Sequence, residues 1–136
     1  MMKMRFALMG LLALSVSSPA LAKNPSALRP SVSRAAVVAT AKEKLTETFL
    51  DPTGAQLRNV TIWNIGNGNV MFTVCGDVNG KNAYGAYTGF KPFSISVKNY
   101  SGLSAYNGRI AGTSAGDNYI VDRTCASALL KPEWRM

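Results

Sequence analysis

From residue 31 onward the apolar positions of this chain follow first a helical and then an alternating spacing. Val38, Ala41, Leu45 and Phe49 recur at steps of three and four, while Lys42, Glu43, Lys44 and Glu47 fall mainly outside that stripe. The spacing predicts a helix over 34–50, capped by Ser31 or Ser33 and ended by Asp51-Pro52-Thr53-Gly54, since the residue before a proline disfavours helical angles. From Gln56 the period becomes two, with Val60 and Ile62 on one face of a strand that reaches about Ile65. Gly66-Asn67-Gly68-Asn69 then supplies residues that tolerate the positive backbone angles of a tight turn.

A second strand runs from Val70 to about Val78. It places Val70, Phe72, Val74 and Val78 on one face and Met71, Thr73, Cys75 and Asp77 on the other. If the first helix covers the valine face, Cys75 points to the opposite side of the sheet. A third strand, 89–98, alternates Phe93, Ile95 and Val97 with Ser94, Ser96 and Lys98, and Pro92 suggests an edge or an irregular start. Past Asn99 the pattern weakens. Gly108 to Ala111 offers at most a short strand and Tyr119-Ile120-Val121 a better one. Asp122 can cap a last helical stretch, 123–130, which Lys131-Pro132 ends.

These elements predict an α+β fold: an N-terminal helix packed on a small antiparallel sheet of three to five strands, with a short C-terminal helical segment. The first residues change the compartment rather than the fold. Lys3 and Arg5, the apolar run 6–16 and then Pro19-Ala20-Leu21-Ala22 follow the order of a cleavable secretory signal. The expected organisation is a signal peptide at 1–22, a leader at 23–30 containing Pro25 and Pro30, and one domain at 31–136. Eleven apolar or small residues fall short of the roughly 20 that span a bilayer, so no stable membrane insertion is expected after cleavage. No cysteine stands near the cut to carry a lipid. The expected location is therefore periplasmic or secreted.

In an oxidising compartment two cysteines and no CxxC pair predict a single bond between Cys75 and Cys125. It would tie the C-terminal segment back to the second strand. Closing a loop of about 50 residues removes unfolded-state entropy equivalent to about 4 kcal/mol.

Removing Lys3 and Arg5 leaves thirteen of the fifteen basic residues against seven acidic ones, a net charge of +6. The charges are mostly spread singly, with no run that would follow a phosphate backbone, and export removes nucleic acid from reach. The sequence contains no histidine, which excludes Ser-His-Asp and Cys-His catalysis and histidine metal sites. An enzyme would need Lys81 or Lys91 with an acid such as Asp77, and no spacing brings these together. No cofactor and no metal ligand set is expected.

The most distinctive stretch is 74–93, with glycines, asparagines and two tyrosines in one inter-strand connection. Lys81, Asn82, Tyr84 and Tyr87 are the candidate binding residues, because tyrosine rings on a glycine-framed loop offer contact area at low entropy cost and asparagine amides adapt their hydrogen bonds. The same residues also suit a long hairpin, with asparagines shaping turns and tyrosines folding back over the sheet edge. Three readings follow: foremost a module that binds a protein or envelope component, next a structural or stress-related envelope protein without a dedicated site, and last a small hydrolase-type enzyme without histidine.

The segments Asp51-Pro52-Thr53-Gly54-Ala55-Gln56-Leu57-Arg58-Asn59-Val60, Val74-Cys75-Gly76-Asp77-Val78-Asn79, and Lys81-Asn82 through Tyr84-Gly85-Ala86-Tyr87 to Gly89-Phe90 resemble a group of small exported proteobacterial and phage-associated proteins of unknown function. The resemblance covers about 34–93. It implies these domain boundaries and an envelope location, and it carries over no catalytic residue.

Overall fold

The computed structural model describes residues 32–65 and 68–129. The expected signal peptide and leader, the first two residues of the 66–69 turn and everything after Leu129 lie outside them. Six elements follow in chain order: α1 (Arg34–Thr46), β1 (Gln56–Asn64), β2 (Met71–Asn79), β3 (Lys91–Asn99), β4 (Leu103–Ile110) and α2 (Ala115–Leu129). The strands form one antiparallel meander in the order β1-β2-β3-β4, so the fold is α+β with two helices and four strands.

Helix α1 starts where the Ser33 side chain accepts from the Ala36 amide, 3.1 Å, and it ends at Thr46, short of the expected Leu50. Its buried stripe is Val37, Ala41 and Leu45, at a strict step of four, with Val38 only partly covered. This stripe packs on Ile62, Phe72, Val74, Val78, Phe93, Ile95 and Val97 to form the main core. Since strand side chains alternate, Cys75 faces the other way. There it meets Trp63 and Cys125, and the Cys75–Cys125 disulfide ties α2 to the sheet with its Cα atoms 6.0 Å apart.

The C-terminal part corrects two expectations. Tyr119-Ile120-Val121 is not a strand and Asp122 does not begin a helix; all four lie inside α2, which starts at Ala115. Ser114 caps it, accepting from the Asp117 amide at 3.0 Å and donating to the Asp117 carboxylate at 2.7 Å. Val121 is buried, as the residue one turn before Cys125 must be when that cysteine is bonded to the sheet. Likewise β4 is an eight-residue strand rather than a short addition, and it makes β3 an interior strand despite Pro92. Pro92 stands second in β3, where its carbonyl still accepts from the Ala111 amide.

Both outer strands carry a bulge. In β1 the register shifts between Arg58 and Thr61, with Asn59 at φ 53°; the β3–β4 ladder shifts between Ser94 and Ser96, with Asn107 of β4 at φ 53°. Asparagine tolerates this left-handed conformation, and a bulged edge is a poor template for pairing with another chain.

Candidate functional site

The β2–β3 connection, 80–90, is a small hairpin built out from the sheet. Lys81 and Tyr87 bridge it, and the Asn82 amide donates to Ala86 O at 2.8 Å. Asn82 organises the tip: its Oδ1 accepts from the amides of Tyr84, 3.0 Å, and Ala86, 3.1 Å, while its carbonyl accepts from the Gly85 amide at 3.0 Å. Gly85 takes φ 78° to close this turn, an angle glycine adopts without steric cost. At the base the Thr88 amide donates to Gly80 O and the Gly89 amide to the Asn79 side chain, whose residue is buried.

Two side chains fasten the hairpin to the turn after α1. The Tyr87 hydroxyl donates to Gly54 O at 2.8 Å, and Lys81 Nζ lies 2.9 Å from Asp51 Oδ2. The other oxygen of Asp51 accepts from the Gly54 amide, 2.8 Å, and the Thr53 hydroxyl, 3.0 Å. A β-carbon on Gly54 would lie 2.1 Å from Asp51 Oδ2, so any larger residue here would displace the carboxylate from its place beside Lys81. The Lys81 hydrogen bond, followed by those from Gly54 and Thr53, holds the Asp51 carboxyl at about 2, well below the usual carboxylate range. Asp51 in turn raises the Lys81 ammonium above its ordinary value, by hydrogen bonding first and charge second.

The four candidate residues thus fall into two kinds. Lys81, Asn82 and Tyr87 spend their polar groups inside the molecule, and Tyr87 remains 42% exposed. Tyr84 is 96% exposed, at the tip of the backbone that Asn82 fixes. Asp51 and Gly54, which anchor the arrangement, were readable in sequence only as a helix stop. Their partners stand 30 and 33 residues away, a separation no local pattern reports.

Asp77 does not approach either candidate lysine as an ion-pair partner. It accepts from Arg58 at 3.3 Å and Asn59 at 2.9 Å, and the Arg58 guanidinium stacks 3.9 Å over the Phe90 ring. Among the described residues no group of three or more histidines, cysteines and acids is placed to hold a metal ion. No described helix is long and apolar enough to cross a membrane. Neither a family model, nor a curated protein, nor a solved structure matches this chain.

Proposed function

We propose that this is an exported, non-catalytic binding module that recognises a protein or envelope component through the tip of the β2–β3 hairpin. The observation that carries the reading is Tyr84, a large aromatic side chain that is 96% exposed on backbone fixed by Asn82. Rigid loops give up little conformational entropy on binding, and tyrosine is enriched among residues that dominate interfaces. The contact falls to Tyr84, and Lys81, Asn82 and Tyr87 position it. Export to an oxidising compartment is supported by the charged, apolar and small-residue order of 1–22 together with the Cys75–Cys125 bond. The resemblance of 34–93 to small exported proteins points the same way.

A photo-crosslinking amino acid placed at Tyr84 in the producing cell tests the proposal. A discrete adduct at Tyr84, absent when the same group replaces the exposed Tyr100 or Tyr119, is the expected result. Adducts of equal yield at all three positions would overturn the reading and leave a structural envelope protein. Tyr84→Ala should then leave the melting temperature unchanged and weaken the complex by roughly 2 kcal/mol or more, the scale of an interface hot spot.

A further inference from the structure

Beneath the base of the hairpin, past the end of α1, lies an open groove of about 320 Å³. Phe49 and Ile110 contribute apolar surface, and Thr48, Thr113, Lys81 and Lys91 also line it. No acidic residue does. Two other grooves on this molecule bring acids against their cations, one balanced and one with an acid in excess. The adjoining one carries Lys44 with Glu47, 2.6 Å apart, and Arg109 with Asp117, 3.3 Å apart; the third is lined by Lys44, Glu43 and Glu47.

The two lysines differ in their partners. Lys81 is held by Asp51, which lies outside the lining and engages one of the three ammonium donors. Lys91 makes no ion pair with any described residue. On β3 it shares the α1-bearing face with Phe93, its exposed side chain passes beside Gly112, and it lines the groove. A half-open, partly apolar groove with one unneutralised cation raises the local affinity for an anion, and its apolar wall favours one with a hydrocarbon neighbour.

From this geometry we infer that the groove is a binding site for an anionic group, carboxylate or phosphate, carried next to a short apolar segment. Lys91 provides the charge, Lys81, already paired with Asp51, offers at most a free N–H donor, and Phe49 and Ile110 receive the apolar part. The site uses none of the hairpin tip, so it stands or falls independently of Tyr84.

The test titrates the oxidised, exported chain with hexanoate, hexyl phosphate and, as uncharged probe, hexanol, following backbone amide shifts by NMR. Saturable shifts at Lys91, Ile110 and Thr113 with one or both anions, weakened by added salt, are expected. Lys91→Gln should raise the dissociation constant about tenfold, while Lys98→Gln, on the opposite face of β3, should leave it unchanged. A stronger response to hexanoate marks a carboxylate source such as a peptide end or acidic sugar, and a stronger response to hexyl phosphate marks a phospholipid or phosphorylated glycan. Hexanol binding as tightly as the anions, an absence of groove shifts, or a folded Lys91→Gln variant that titrates like the parent would each overturn the inference.

Discussion

Individual side chains in this protein are constrained most tightly where backbones approach one another. Gly76 of β2 faces the bulge of β1, and a β-carbon there would meet Arg58 O at 3.0 Å, the Phe93 ring at 3.1 Å and Val60 Cα at 3.2 Å. Two of the three are backbone atoms, which cannot rotate away. Gly76→Ala is therefore expected to lower stability by about 1–3 kcal/mol, the usual cost of overpacking, as read from urea unfolding. The sequence marked Gly76 only as one of several glycines, because its role depends on a bulge in a different strand. The Asp51–Lys81 tether gives a pH signature. The folded carboxyl, at about 2, lies below the unfolded value of about 3.9. Its contribution is thus fully present above about pH 4 and lost as pH falls through about 2. Lys81 is raised, so its contribution is present below the unfolded lysine value of about 10.4 and lost as pH rises through the folded one. Hydrogen exchange at the Gly54 amide should accordingly hold a protected plateau between these limits once corrected for intrinsic rates. In Asp51→Asn the acid limb should disappear, and an unchanged acid limb would assign it to another carboxylate.

At the scale of elements, β1, β2 and β3 were legible within one or two residues, since each sets large apolar residues on the face that α1 covers, Ile62 in β1, Phe72, Val74 and Val78 in β2 and Phe93, Ile95 and Val97 in β3. Helix α2 was not. Tyr119-Ile120-Val121 has the β-branched and aromatic composition of a strand, and local preference was read in place of the cap five residues earlier. The structure resolves the conflict through Ser114 and Asp117, and through Val121 and Cys125 on one helical face, which leaves Tyr119 and Ile120 outside. The cap has a measurable share. Ser114→Ala is expected to cost about 1 kcal/mol, with loss of amide protection concentrated in the first turn of α2. An unchanged unfolding midpoint would mean that the Arg109–Asp117 pair, 3.3 Å, holds the helix start unaided.

The whole molecule is a sheet covered on one face by α1 through a large apolar core and on the other by α2 through a small cluster around the disulfide. The two covers are stabilised differently. Replacing Cys75 and Cys125 together by alanine is expected to remove about 4 kcal/mol of stability, from the entropy of a 50-residue closed segment, and to loosen α2 before α1 in hydrogen exchange. A loss under about 1 kcal/mol would show that Val121 and the Ser114 cap suffice to dock α2. By itself the sequence determined the first three strands, the helix before them with Ala41 and Leu45 of its buried stripe, the pairing of the only two cysteines and the exclusion of histidine chemistry, because these follow from local periodicity, composition and count. Tertiary structure alone decided that Tyr87 and Lys81 reach back to Gly54 and Asp51, that Tyr84 is left outside, and that Lys91 faces a groove without an acid. Those outcomes depend on which distant segments the sheet register brings together, and register is fixed by burial of whole faces rather than by any short run of residues.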